Sequence, residues 1–351
     1  MKNKFGFLFF LLAFLWAPAD PAAAATKKPL AVAELALYKG VDRQQILEEG
    51  AKREGKLTFY TTGAVQYGVR ATVDAFEKKY PYLKVDIWRA AADNLMARVV
   101  EEHKSGKYLC DVIESAQLIH VAKTGVLHPF YSPHQAFIDD KAMEKAPGEG
   151  YMTVGFREGG IGLGYNTKQL SKKDIPKTYQ ELLDPKWKGK LAVAGSQTGV
   201  SWMAAMLSAQ GEDFVKKIAR QDIVVHMVSG VALQGMVENG EYILSPTIFD
   251  NYVSVAKKKG APIDWFPLEP VYVNLGEVAL FRQPPNPHAA LLFIDFILSK
   301  EGAAILKTSA NYLSTRRDVP GGATYKKFYG ARTPEEAEVW TKLFRTLFVK
   351  K

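Results

Sequence analysis

The feature that most limits the possible folds of this chain is a repeated alternation of short apolar runs with segments of helical spacing. The strand-like runs fall at 56–60, 83–88, 110–115, 191–194, 223–227 and 241–244. Strands that alternate with helices at such intervals are typical of β-α-β units around a mainly parallel sheet. A chain of 351 residues is long enough for about two domains. The sequence therefore predicts an α/β protein whose two series of strands form two lobes around a cleft.

A glycine-rich stretch separates the two series. It contains Gly159, Gly160, Gly162 and Gly164. Their spacing departs from that of a dinucleotide-binding loop, and the residues that follow, Tyr-Asn-Thr at 165–167, do not open a helix. We therefore expect a hairpin or a strand that crosses between the lobes. We assign residues 26–158 and 276–351 to one lobe and 159–275 to the other, with two crossing strands between them.

The first 25 residues have the pattern of a cleavable signal peptide. Lys2 and Lys4 precede an apolar run at 5–16, and small residues at 23–25 precede Thr26. The apolar run is too short to span a bilayer as a helix, although an uncleaved anchor remains the alternative. We therefore predict a periplasmic protein. The single cysteine, Cys110, cannot form an intramolecular disulfide, and a chain of this size is large enough to fold on its apolar cores.

The formal net charge is +9, but the basic residues are scattered along the chain. Nucleic-acid-binding proteins cluster such charge on one face with aromatic residues, and no motif of that kind occurs. A basic balance favours an anionic ligand. We expect a monomer that binds a small molecule and no nucleic acid.

Polar residues mark the carboxyl ends of the predicted strands, where open α/β sheets bind ligands. The candidate ligand-binding residues are Tyr60, Thr61, Thr62, Trp88, Arg89, Glu114, Ser115, Ser196, Gln197, Thr198, Gly199, Ser229 and Thr247, with Tyr272 in a presumed crossing segment. The turn at 196–199 is the strongest of them, because backbone N–H groups at a helix N-terminus suit a carboxylate or phosphate.

Several of these residues have a second interpretation. Arg89 can pair an anionic ligand bidentately, or it can be an exposed surface arginine or form an ion pair with Glu114. Trp88 and Tyr272 can pack between the lobes, and Ser115 can cap the following helix. Arg157 is a further cation that suits an anion.

Catalytic signatures do not occur in the sequence. It contains no G-x-S-x-G, no Cys-His signature and no histidine spacing typical of a zinc site. We therefore expect a binding protein that is not an enzyme and uses no cofactor.

Several motifs resemble one known family. They are F-Y-T-T-G, F-E-K-K-Y-P-Y-L-K-V, D-V-I-E-S, G-I-G-L-G-Y-N-T and Y-Q-E-L-L-D-P-K-W-K-G-K-L. The family is that of the periplasmic solute-binding proteins of ABC importers, in the extracellular solute-binding group that includes iron(III)-binding proteins. The resemblance implies a type II-like periplasmic-binding-protein fold that closes on its ligand by hinge motion, and a membrane permease as transient partner.

The same resemblance bears on the ligand. It implies that ferric members use adjacent tyrosines just before the helix that ends K-K-K-G-A-P, where this chain has Asp250, Asn251 and then a single Tyr252. One tyrosine beside an aspartate is a weak substitute for a phenolate pair. We expect an organic phosphate, phosphonate or carboxylate, and the alternative is iron(III) bound by Tyr252 and Asp250. A sensory role beside a membrane kinase or chemoreceptor is a further alternative, since the fold is shared.

Overall fold

A computed structural model describes residues 30–349, except 117, 119, 120, 122, 123 and 332. The predicted signal peptide therefore lies outside the described residues. The helices are α1 (Val32–Leu37), α2 (Arg43–Glu54), α3 (Arg70–Lys79), α4 (Ala92–Ser105), α5 (Gln197–Gln210), α6 (Glu212–Ala219), α7 (Gly230–Glu238), α8 (Asp250–Lys258), α9 (Pro287–Leu298), α10 (Lys300–Ala310) and α11 (Pro334–Phe348). Within the described ranges, no helix combines the length and apolar character needed to cross a membrane.

The strands follow the predicted alternation with the helices. They are β1 (Lys56–Thr61), β2 (Lys84–Arg89), β3 (Val112–Ser115), β4 (Leu127–His128), β5 (Met143–Lys145), β6 (Tyr151–Asn166), β7 (Ala192–Ala194), β8 (Val224–His226), β9 (Leu244–Phe249), β10 (Ile263–Phe266), β11 (Val271–Phe281), β12 (Leu313–Ser314) and β13 (Lys327–Phe328). In the first lobe β2, β1 and β3 are parallel neighbours, and β11 is antiparallel to β3. The predicted α/β class is confirmed.

Two long strands carry the chain from one lobe to the other. β6 pairs with β11 over residues 154–161, and its second half pairs with β9 and β10 of the second lobe. The glycine-rich stretch is thus one continuous crossing strand and not a hairpin. At Gly162 a Cβ atom would lie 2.5 Å from the Trp265 ring, so glycine allows that ring to lie directly on the strand.

Separate apolar cores support the two lobes. The first contains Phe59, Phe76 and Phe293, whose rings meet edge to face at 4.8–5.0 Å. The second is built around Trp202 of α5, together with Leu163 of β6. Each core is buried from solvent, as expected for lobes that fold on separate hydrophobic interiors.

The C-terminal helix corrects the predicted lobe boundary. Residues 276–351 were assigned to the first lobe, but α11 packs into the second core. Phe348 meets Trp202 edge to face with ring centroids 5.7 Å apart, and Phe344 stacks on Phe348 at 5.2 Å. The apolar face of an amphipathic helix can pack on either lobe, and here the Trp202 ring of α5 is part of the surface that it covers.

The chain reaches α11 by crossing between the lobes a third time. Arg316 donates a hydrogen bond to the Leu298 carbonyl in the first lobe, 2.6 Å away. Tyr325 donates to Asp250 in the second lobe at 3.0 Å. On this passage β12 pairs with β6 and β13 pairs with β11. The third passage is therefore hydrogen-bonded to both crossing strands.

Candidate functional site

A cavity of about 150 Å³ lies between the lobes, where the carboxyl ends of first-lobe strands face the N-termini of second-lobe helices. It is lined by Thr62, Gly63, Arg89, Ala92, Ser115, Ala116, Arg157, Ile161, Gln197, Thr198, Ser201, Ser229, Gly230, Val231, Phe249, Tyr252, Tyr272 and Asn274. The two ionised side chains among these described lining residues are arginines, and none of the residues is a carboxylate. The cavity is therefore suited to a small anion.

The predicted turn at 196–199 forms the N-terminus of α5. Gln197 and Thr198 line the cavity, whereas Ser196 occupies the N-cap position without capping the helix through its side chain. Gly199 lies below the surface, since a Cβ atom there would lie 2.0 Å from the Ala194 carbonyl oxygen. The first-turn amides of α5 thus receive no side-chain acceptor from Ser196, which leaves the positive end of the helix for a ligand.

A second helix also begins at the cavity. α7 starts at Gly230, and the Ser229 hydroxyl accepts a hydrogen bond from the Ala232 N–H at 3.3 Å. Ser229 and Gly230 both belong to the lining. Two helix N-termini of the second lobe thus line the cavity opposite Thr62 and Ser115 of the first lobe.

Arg157 of β6 is the buried cation of the site. It is 4% exposed and forms an ion pair with Glu114, which is 1% exposed. Burial opposes the charge, but the Glu114 carboxylate outweighs this effect and raises the pKa of Arg157 above its ordinary value. Among the described residues its buried Nη1 atom has no hydrogen-bond partner. Arg157 also lines the cavity, so an unsatisfied buried donor belongs to a residue in its wall.

Arg89, at the end of β2, is the exposed cation of the site. It lines the cavity and forms no ion pair within the described part of the chain. The alternative in which Arg89 pairs with Glu114 is therefore wrong, because Glu114 pairs with Arg157. A guanidinium without a protein carboxylate is free to bind an anion bidentately.

Two predicted residues support the site from beneath without lining it. The Thr61 hydroxyl donates a hydrogen bond to Glu114, and Glu114 also accepts from the Gly63 N–H at 3.1 Å. Both side chains are buried. Thr61 and Glu114 therefore hold Arg157 and the strand end in place, and do not reach the cavity.

Three other predicted residues lie away from the cavity. Tyr60 is buried and donates to Glu102 at 2.8 Å. The Trp88 ring packs on Tyr60 with centroids 4.9 Å apart, so both belong to the packing of α4 on the sheet. Thr247 is buried, and its hydroxyl accepts from the Ala194 N–H at 3.0 Å. These three side chains thus lie outside the described lining of the cavity, and their role as ligand contacts stays a prediction.

The two residues considered as iron ligands have different surroundings in the structure. Tyr252 lines the cavity, but Asp250 does not. Asp250 accepts hydrogen bonds from the Gly160 N–H at 2.9 Å and from Tyr325. Tyr312, which the sequence did not single out, donates to the Tyr252 hydroxyl at 3.2 Å. Within the described residues, no group of three or more His, Cys, Asp and Glu side chains is placed to hold a metal.

Several lining residues were missed from the sequence. Asn274 lies two residues along β11 from Tyr272, so strand alternation could have placed both on the same face. Ser201 lies one helical turn after Gln197, on the face of α5 that meets the cavity. The apolar lining residues Ile161, Val231 and Phe249 resemble ordinary core residues, and no sequence signal separates them from core.

The described structure thus has two α/β lobes around a polar cavity. The sequence pattern described as bacterial extracellular solute-binding protein matches residues 71–331, and the chain belongs to that family. The family is that of proteins that bind solutes outside the bacterial cell.

Relatives within this fold bind different ligands. The chain is 25% identical to the major ferric iron-binding protein of Neisseria meningitidis serogroup B, over 71% of this chain and 78% of that protein. Iron-bound HitA from Pseudomonas aeruginosa superposes with a TM-score of 0.70 at 22% identity, over 83% of this chain and 99% of HitA. AfuA from Actinobacillus pleuropneumoniae, with fructose-6-phosphate bound, superposes with a TM-score of 0.71 at 23% identity, over 85% of this chain and 100% of AfuA.

Proposed function

We propose that this protein is the periplasmic receptor of an ABC importer and binds a small organic anion that carries a phosphate, phosphonate or carboxylate group. The observation that carries the proposal is the charge of the cavity, whose described lining holds Arg89 and Arg157 and no carboxylate. The N-termini of α5 and α7 add to the same positive field.

The two arginines have different roles in binding the anion. Arg157 is held by Glu114, so its charge is largely balanced and its Nη1 atom acts as a fixed donor. Arg89 is exposed and carries the unbalanced charge. Because the arginines belong to the first-lobe sheet and to a crossing strand while the helix N-termini belong to the second lobe, an anion binds all of them only when the lobes are close together. Such a ligand favours the closed state.

The experiment is a thermal-shift screen of the mature protein against phosphorylated sugars, alkylphosphonates and carboxylates, with spermidine as the cationic control. A ligand that binds the folded state at a hundred times its Kd stabilises it by about 2.7 kcal/mol. We expect shifts with anions and none with spermidine. Arg89→Met is expected to reduce the shift to about half or less. It should leave the melting temperature of the unliganded protein unchanged, because the side chain is exposed and forms no ion pair in the described structure. A shift with spermidine alone contradicts the proposal.

Iron(III) is the second candidate, and the hydroxyl pair of Tyr252 and Tyr312 favours it. Two facing phenols provide hard oxygen ligands for a trivalent cation. Against it, burial raises the pKa of Tyr252 well above its ordinary value, and the Arg157 guanidinium lies 4.6 Å from the Tyr312 ring centroid, where it repels a metal cation. Titration with ferric citrate tests this candidate. A visible phenolate band that disappears in Tyr252→Phe supports iron over the organic anion.

A further inference from the structure

A second cavity, of about 120 Å³, adjoins the anion cavity. The two cavities have three lining residues in common, Ala116, Gln197 and Tyr272. The remaining lining of the second cavity includes Lys141, Glu144, Glu277, Tyr329 and Trp340. In contrast to the first cavity, this one has carboxylates in its wall.

Glu277 lies at the junction of the two cavities. On β11 it is directly opposite Ser115 of β3 in antiparallel register, and Ser115 lines the anion cavity. Residues opposite each other in such a pair have Cβ atoms about 4.5–5.5 Å apart and side chains on the same face. The Glu277 side chain therefore lies on the same face of the sheet as Ser115, beside the anion cavity. Its carboxylate accepts a hydrogen bond from the Thr153 hydroxyl at 2.7 Å.

Within the described residues, no protein cation pairs with this carboxyl group. Glu277 forms no ion pair there, although Lys141 lines the same cavity from the surface. Burial is the main reason that the pKa of Glu277 rises to about 7, and the nearby Glu144 and Glu114 raise it further, against the effect of Thr153. The other titratable groups that line the cavity are the phenols of Tyr272 and Tyr329. A half-buried carboxyl group in such surroundings is stabilised in its ionised form by a cation placed beside it.

We propose that the second cavity is an ammonium subsite, in which Glu277 binds a primary ammonium group of the ligand while Arg89 and Arg157 bind its acidic group. The transported solute is then a small amine-bearing acid with a few carbon atoms between its two charges. The rings of Trp340 and Tyr329 in the same wall also favour a cation. This inference rests on the anion-binding function proposed above and specifies the ligand of that site.

Isothermal titration of the mature protein with matched pairs of ligands tests the subsite. The pairs are O-phosphoethanolamine with ethyl phosphate, 2-aminoethylphosphonate with ethylphosphonate, and 4-aminobutyrate with butyrate, so that the members of each pair differ by the ammonium group. At pH 8 we expect the amine member of at least one pair to bind about ten- to a hundredfold more tightly, the range for a hydrogen bond between charged groups. The three pairs distinguish a phosphate, a phosphonate and a carboxylate as the acidic group.

Glu277→Gln is the critical variant, since it retains the shape of the side chain and an acceptor for Thr153 but removes the charge. It should reduce the amine preference to within about twofold and should not weaken binding of the amine-free ligand, because it removes a negative charge beside the anion. Glu241→Gln, at an exposed surface position, is the matched control and should retain the preference. In the wild type the preference should increase between pH 6 and pH 8, because Glu277 ionises over that interval.

The outcomes separate the two proposals. Equal affinity within every pair, or a preference that survives in Glu277→Gln, overturns the ammonium subsite and leaves the anion site standing. Absence of binding by all six ligands, together with binding of ferric citrate, overturns the anion site and the subsite that depends on it.

Discussion

Replacement of Arg157 by methionine should destabilise the protein far more than the same replacement of Arg89. Arg157 is 4% exposed and its partner Glu114 is 1% exposed, so water cannot take the place of either member of the pair. The substitution leaves a buried carboxylate with no cation. Arg89 is exposed and forms no ion pair in the described structure, so its removal leaves no such charge behind.

The magnitudes follow from burial. Removing one member of a buried ion pair costs about 3–5 kcal/mol. This is a large part of the free energy of unfolding of a typical protein, which is roughly 5–15 kcal/mol. Surface substitutions that break no contact stay within about 0.5 kcal/mol. The double variant Arg157→Met/Glu114→Gln removes both buried charges, the guanidinium and the carboxylate. Since the amide oxygen introduced at position 114 can still accept from Thr61 and Gly63, we expect this variant to recover at least half of the loss.

Urea denaturation at pH 7.5 measures these differences, with the slope of the transition as a check that the same surface is exposed. Ligand titration of the same proteins supplies the complementary result. Arg89→Met should weaken anion binding by about ten- to a hundredfold without loss of stability. A cost below about 1 kcal/mol for Arg157→Met, or a double variant as unstable as the single one, refutes the structural role given to the buried pair.

Three further predictions concern the support of the site. Gly199→Ala should lower stability by about 1–3 kcal/mol in thermal denaturation, because its Cβ would lie 2.0 Å from the Ala194 carbonyl oxygen; an unchanged melting temperature contradicts this packing. Phe344→Ala should cost about 3–5 kcal/mol in urea, as expected for a ring buried in the second core; a loss under about 1 kcal/mol would mean that α11 is not part of that core. Burial raises the pKa of Asp250 to about 6, above its ordinary value of 3.8, so the folded state holds this proton more tightly and the free energy of unfolding should fall as pH rises from about 4 to 6. Asp250→Asn should lack this decrease, and a wild-type curve of the same shape as the variant's would count against it.

The order of elements was predictable from the sequence because it depends on local patterns. The strand at 191–194, its turn and the helix that follows occupy the predicted positions, and Gln197 and Thr198 line the cavity. The spacing of apolar residues and the glycine-rich turns are patterns of neighbouring residues, so they can be recognised in a single sequence.

Contacts between distant residues were not predictable in this way. Tyr60 ends a strand at the correct edge of the sheet, but Glu102, which lies 42 positions further on, holds its hydroxyl in the core. The pairing of Tyr252 with Tyr312 spans 60 positions. The lobe that α11 joins likewise depends on contacts between distant residues, such as that of Phe348 with Trp202.

The third passage of the chain between the lobes has a mechanical consequence. β12, β6, β11 and β13 form a continuous hydrogen-bonded ribbon, so the three passages lie side by side in one surface. Such a ribbon flexes easily out of its own plane, whereas sliding or rotation within the plane would break the ladder. We therefore expect hinge motion of the lobes to bend this ribbon out of its plane, and the C-terminal helix to move with the second lobe, on which it packs.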